Sequence, residues 1–89
     1  MSIRRHNARR DANESRIIAA LEAMGCIVHR MDTPCDLLIW HRGTVYLAEV
    51  KTRTGRLTRD QQLFMENWPV TILRSVDDAI AFAGGKVAA

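Results

Sequence analysis

Glu49 and Lys51 close an apolar segment that runs from Thr44 as Thr-Val-Tyr-Leu-Ala-Glu-Val-Lys. In a strand, side chains alternate between faces, so these two share one side, about 6.6 Å apart along the chain. Val45 and Leu47 fall on that side too. Glu and Lys are rarely buried unless paired, so the segment implies either an ion pair or a site. Asp36 opens the preceding apolar run, Leu37-Leu38-Ile39-Trp40. A turn at His41-Arg42-Gly43 folds the head of that run back beside the tail of the next. Asp36 is thereby brought to Glu49 and Lys51, where Asp36–Lys51 or Glu49–Lys51 pairing is the plain structural alternative. Glu14 precedes Ile17, Ile18 and Leu21 by three, four and seven residues, which places it on the apolar face of a helix. It either acts on the helix macrodipole or reaches into the same polar site.

Three acids gathered at one sheet end repel one another, and a divalent cation relieves that repulsion. Hard carboxylate oxygens suit Mg²⁺ or Mn²⁺, which take one or two carboxylates and complete their shell with water and substrate phosphate. A cation of this kind lowers the pKa of a bound water and stabilises charge on a phosphodiester. Lys51 beside it could orient or deprotonate the attacking water, or neutralise developing charge.

The elements that must position these residues read off the sequence in order. A helix is expected from about Asp11 or Asn13, both good N-cap types, to Met24, stopped by Gly25. Cys26–Met31 reads as a short strand. Cys35–Trp40 reads as a second strand, so apolar after Asp36 that burial on both faces is expected. The third runs from Thr44 to Lys51. A second helix opens at Thr58, with Leu63, Phe64 and Trp68 as its buried stripe, and Pro69 ends it. Val70–Leu73 is the fourth strand, and Ser75-x-x-Asp78 heads a last helix that ends at Gly84-Gly85. The order α-β-β-β-α-β-α implies an α/β fold: one mixed sheet flanked by helices on both faces.

The 89 residues suffice for one domain, expected over residues 11–85, with a basic flexible arm at 1–10 and a tail at 86–89. Apolar content of 47% and charged content of 26% argue against a disordered chain. No apolar run approaches the roughly 20 residues that span a bilayer, and no apolar stretch follows Met1-Ser2-Ile3-Arg4-Arg5 as in a secretory leader. With only two cysteines, Cys26 and Cys35, a cytoplasmic setting is expected. The net charge is +3, and 11 of the 13 basic residues are arginine. Arg4, Arg5, Arg9 and Arg10 crowd the N-terminus, and Arg53, Arg56 and Arg59 follow Lys51 with no intervening acid. Guanidinium groups match phosphate in two-point fashion, so these patches imply either a polyanionic partner or a solubilising surface.

Asp36, Glu49-Val50-Lys51 and the stretch Thr52-Arg-Thr-Gly-Arg-Leu-Thr-Arg-Asp-Gln61 together resemble the PD-(D/E)xK nuclease superfamily, in particular its VRR-NUC branch. That branch has a hydrophobic strand after the Asp, an acid-x-Lys, a Gly-x-Leu-Thr/Ser-x-x-Gln helix opening and a closing strand and helix. The resemblance covers residues 11–83 and implies a restriction-endonuclease-like core. It implies Asp36 and Glu49 as metal carboxylates for Mg²⁺ or Mn²⁺, the Val50 carbonyl as a further ligand and Lys51 as the catalytic lysine. Glu14 would assist a metal-bound water and Gln61 would stand near the site. Thr58-Arg-Asp-Gln61 is also a capping box in its own right, so Gln61 carries both readings. One departure is local: members place Pro directly before the Asp, whereas here Pro34-Cys35-Asp36 sets it one residue early.

The resemblance thus implies a metal-dependent endodeoxyribonuclease without organic cofactor, acting in the cytoplasm, or in the host cytoplasm if phage-encoded. The arginines would contact DNA phosphates. Stand-alone members include homodimers that resolve Holliday junctions, so branched DNA and a homodimer are expected, with Trp40, Trp68 and Phe82 as interface candidates if exposed. The rival is a nucleic-acid-binding module of the same fold without activity. Zinc on Cys26, His29, Cys35 and His41 is disfavoured, because C-x₂-H-x₅-C-x₅-H is not a common zinc spacing and Cys26 and His29 face opposite sides of a strand. A Cys–His nucleophile has no support in spacing.

Overall fold

The computed structural model describes residues 8–85. Its elements are α1 (Ala8–Ala23), β1 (Ile27–Arg30), β2 (Leu37–His41), β3 (Thr44–Val50), α2 (Arg59–Met65), β4 (Val70–Leu73) and α3 (Val76–Phe82). Together they form an α/β structure on one four-stranded mixed sheet of order β1-β2-β3-β4. The first two pairings are antiparallel and β3–β4 is parallel. Only the parallel pair needs a crossover, and α2 provides it.

Helix α1 starts earlier than the N-cap residues suggest. Ala8, Arg9 and Arg10 belong to it, because Ala and Arg are strong helix formers, so the expected arm loses its last three residues to the helix. The rest of that arm, residues 1–7, and the tail at 86–89 lie outside the described residues. At its other end, Gly25 N–H donates to the Glu22 carbonyl at 3.0 Å and Cys26 N–H to that of Leu21 at 3.0 Å. This paired closure sends the chain straight into β1.

The β2–β3 connection has two residues. His41 pairs with Thr44, while Arg42 and Gly43 take φ of 51° and 82°, the positive values a type I′ hairpin demands and glycine adopts without strain. The turn fixes the register Leu37↔Ala48, Ile39↔Tyr46, and with it which side chains face inward. Leu37, Ile39, Ala48, Val50 and Leu73 form the core with Ile17 and Leu21 of α1 and Ala79 and Ala83 beside them. His41 joins this face, its Nε2–H donating to the Ala83 carbonyl at 3.1 Å, which ties the end of α3 to the hairpin.

The opposite sheet face departs from expectation. Strand β2 alternates buried and accessible residues instead of being covered on both sides. Ile27, Trp40 and Val45 are cross-strand neighbours on that face and are 67%, 46% and 57% exposed. The reason is that α1 and α3 pack on the core side, while α2 spans only two turns and buries none of its residues. Its expected stripe fails accordingly. Leu63 and Trp68 are exposed, and Phe64 stacks on Trp68 with ring centroids 5.7 Å apart. Of the three aromatic interface candidates, Trp40 and Trp68 are exposed, but Phe82 packs edge-on against Tyr46 at 4.8 Å and is removed.

Leu21 is fully buried where α1 meets the sheet. Leu21→Ala is expected to lower stability by about 2–5 kcal/mol in urea titrations; a loss under about 1 kcal/mol would mean α1 is not packed as described.

Candidate functional site

Four buried polar or charged residues are found among those described: Glu14, Asp36, His41 and Glu49, at 2%, 3%, 7% and 5% exposure. His41 belongs to the far end of the hairpin. The three acids are those expected at one end of the sheet: Asp36 stands just before β2, Glu49 is the penultimate residue of β3, and Glu14 comes from α1 beside Arg30 of β1.

Asp36 is held by an interruption in the ladder. Strand β2 starts at Leu37, opposite Ala48, so the next N–H of β3 pointing toward β2, that of Val50, meets no strand carbonyl. Asp36 Oδ2 accepts it instead, at 2.8 Å. A strand residue's N–H and C=O leave on the same side, which aims the Val50 carbonyl toward the Asp36 side as well. The proline displaced by one position, in a cis Thr33–Pro34 bond, does not prevent this placement. Met31 N–H donates to the Asp36 carbonyl at 2.7 Å, closing the intervening loop.

Glu49 points to the opposite sheet face from Val50, toward the head of α2. Its Oε2 accepts a hydrogen bond from Gln61 Nε2 at 2.6 Å and lies 3.8 Å from Lys51 Nζ, a charge contact too long for a hydrogen bond. Both readings of Gln61 therefore hold at once. Its Oε1 accepts from Thr58 N–H at 2.8 Å and its N–H donates to Thr58 Oγ1 at 3.1 Å, completing the capping box, while the amide nitrogen reaches Glu49. The helix cap thus aims the side chain that holds the carboxylate.

Glu14 lies seven residues into α1, beyond the first turn where the macrodipole acts strongly, so helix capping does not explain it. Arg30 does: its Nε stands 3.4 Å from Glu14 Oε2, and its Nη2 donates to Ser15 Oγ at 3.0 Å. Asn13, expected as an N-cap, instead donates from Nδ2 to the Lys51 carbonyl at 3.0 Å. It locks α1 against the exit of β3. Neither Arg30 nor Asn13 figures among the candidate site residues read from sequence. Arg30 had a signal, since strand alternation puts it on the α1 side with Val28; the Asn13 contact spans 38 residues and left none.

Arg53, Arg56 and Arg59 are exposed just beyond Lys51, as a phosphate-contacting role requires. Arg4 and Arg5 lie outside the described residues, as do the side chains of Arg9 and Arg10. Cys26 is buried in the core whereas His29 is exposed, so the two point apart. Burial pushes up both thiols. At Cys35 the nearby Glu49 charge raises it further, and at Cys26 the Arg42 charge partly offsets the burial.

Among the described residues, no three His, Cys, Asp or Glu side chains form a ready-made metal-ligand set, and no helix is long and apolar enough to cross a membrane. No known family model, curated protein or solved structure matches the chain.

Two outcomes test this geometry. Asp36→Ala leaves the Val50 N–H without its acceptor and is expected to cost about 1–3 kcal/mol, whereas Asp36→Asn keeps an oxygen there and stays near wild type; equal urea midpoints for the two variants would contradict the bond. The raised thiols favour the folded state below the ordinary thiol pKa of about 8.5, and that stability is lost as pH climbs through the folded values. Urea midpoints should therefore fall between neutral and strongly alkaline pH, less steeply in Cys35→Ala, and both thiols should react with a thiol reagent far faster once unfolded. Equal reaction rates in folded and unfolded chain would contradict their burial.

Proposed function

We propose that the chain is a metal-dependent endodeoxyribonuclease with a restriction-endonuclease-like core of the VRR-NUC kind. The observation that carries this is the burial of Glu14, Asp36 and Glu49 at one sheet end, with Lys51 and Gln61 in contact with Glu49. Burying carboxylates is costly to a fold even when they are paired, which favours a binding role beyond the partners Arg30, Val50 N–H, Gln61 and Lys51 that hold them. Asp36 and Glu49 supply hard oxygen donors that fit Mg²⁺ or Mn²⁺, and the Val50 carbonyl is aimed to join them. Two carboxylates short of a complete shell are typical for these ions, which draw the remainder from water and phosphate. When bound, such an ion supplies an acidified water and a counter-charge for a phosphodiester.

The chain's own residues do the rest. Lys51, held near Glu49 by charge and by the Asn13 bond to its carbonyl, orients the attacking water or offsets charge on the phosphoryl oxygens. Gln61 restrains Glu49. Arg30 balances Glu14, which assists the nucleophile from the α1 side. Arg53, Arg56, Arg59 and the N-terminal arginines contact DNA phosphates. A single site cuts one strand per event, so paired cuts in a junction need two copies; a homodimer acting on branched DNA in the cytoplasm is the corresponding proposal.

One observation favours a second reading. The lack of a ready-made three-residue ligand set among the described residues, together with the exposed arginines, suits a nucleic-acid-binding module without chemistry. Incubation of linear and branched DNA with Mg²⁺ or Mn²⁺ separates the two. The nuclease reading expects cleavage, with losses of about 10²-fold or more in Lys51→Ala and in the fold-preserving Asp36→Asn. Binding without cleavage, indifferent to both changes, would support the module instead.

A further inference from the structure

Arg74 follows β4 directly, and its Nη1 donates to the carbonyls of Thr52 at 2.8 Å and Gly55 at 2.7 Å, with that of Arg53 at 3.5 Å. Those carbonyls belong to the turn that leaves the proposed site. Lys51 N–H donates to the Leu73 carbonyl at 3.1 Å, prolonging the parallel ladder by one bond, and Gly55 N–H then closes the turn on the Thr52 carbonyl at 3.2 Å. The turn carries Arg53 at its corner and delivers the chain to Arg56. A side chain at position 55 would crowd it, since a Cβ would stand 2.9 Å from Thr52 Oγ1 and 3.3 Å from the Thr52 backbone nitrogen, and Thr52 would have to shift. Arg74 is itself fixed. Its N–H donates to Asp78 Oδ2 at 2.9 Å, and Asp78 N–H donates to Ser75 Oγ at 3.1 Å, so the capped head of α3 holds it.

An exposed loop of this kind ordinarily loses conformational entropy when its side chains are ordered on a ligand. Here a cation directed at backbone carbonyls removes much of that loss in advance. We propose that Arg74 is a positioning residue for DNA engagement: by bracing the Thr52–Gly55 turn it presents Arg53 and Arg56 to the phosphates beside Lys51. This rests on the nuclease reading for its ligand, but not for the brace. Arg74 acts through the turn, because its Nη1 is engaged by the turn's own carbonyls.

Binding of a branched DNA in EDTA, measured over a range of salt for wild type, Arg74→Ala, Arg74→Lys and Gly55→Ala, tests the inference alongside amide hydrogen exchange. In Arg74→Ala, exchange at the Gly55 amide should quicken while core amides such as Ala48 keep their protection. DNA affinity should fall roughly 10-fold, with the log–log salt slope shallower by about 0.9 for each phosphate that is no longer neutralised. Arg74→Lys, which retains a donor, should recover part of both. Gly55→Ala keeps every charge yet displaces the turn, so it should weaken binding as Arg74→Ala does. A wild-type chain that binds DNA, with Arg74→Ala and Gly55→Ala both binding equally well, would overturn the positioning role and leave the nuclease reading standing. Failure of the wild-type chain to bind DNA would overturn both, whatever the exchange shows.

Discussion

A two-residue hairpin turn governs the rest of this structure. With Arg42 and Gly43 alone between the strands, β2 and β3 can pair in only one register that keeps Leu37, Ile39, Ala48 and Val50 against α1. A slip of one residue would reverse every side chain. In the register adopted, β2 begins two residues short of the end of β3, and the Val50 N–H is completed by the Asp36 side chain. The hydrophobic core and the placement of the acids are thus consequences of the same pairing.

Around that sheet end the polar groups come from several different elements. Glu14 and Asn13 come from α1, Arg30 from the end of β1, Asp36 from the head of β2, Glu49 and Lys51 from the end of β3 and beyond it, and Gln61 from α2. Several of these contacts do two jobs. Gln61 caps its helix and restrains Glu49; Asn13 docks α1 and fixes the Lys51 carbonyl. The short α2, none of whose residues is fully buried, is tied to β3 by the Gln61–Glu49 bond, and the sheet face beyond it remains open around Trp40.

Much of this was legible in the sequence because it follows from short-range rules. The element order, the capping box at Thr58, the hairpin and the burial of Glu14 by its spacing from Ile17 and Leu21 all rest on periodicity or turn chemistry. What stayed hidden depends on how elements pack. The apolar run of β2 looks buried on both sides, yet coverage depends on where helices lie, and Trp40 is left exposed. Leu63 and Trp68 look like a core stripe because helical spacing cannot report that α2 is too short to lie across the sheet. Asp11 and Asn13 are good caps by type, but the alanine and arginines ahead of them extend the helix, and Asn13 bonds across the fold instead. Arg74 gave no signal, since its carbonyl partners lie about twenty residues away.

The proposed hydrolysis requires the acids at this sheet end to accommodate a divalent cation. Titration of isotopically labelled protein with Mn²⁺ tests it directly, because the paramagnetic ion broadens signals close to where it binds. Broadening centred on Asp36, Glu49 and Val50, abolished by Asp36→Asn and competed by Mg²⁺, is the expected result. Signals at those positions that stay sharp at millimolar Mn²⁺, or that broaden no more than those of Asp77 and Asp78 on the surface of α3, would contradict it.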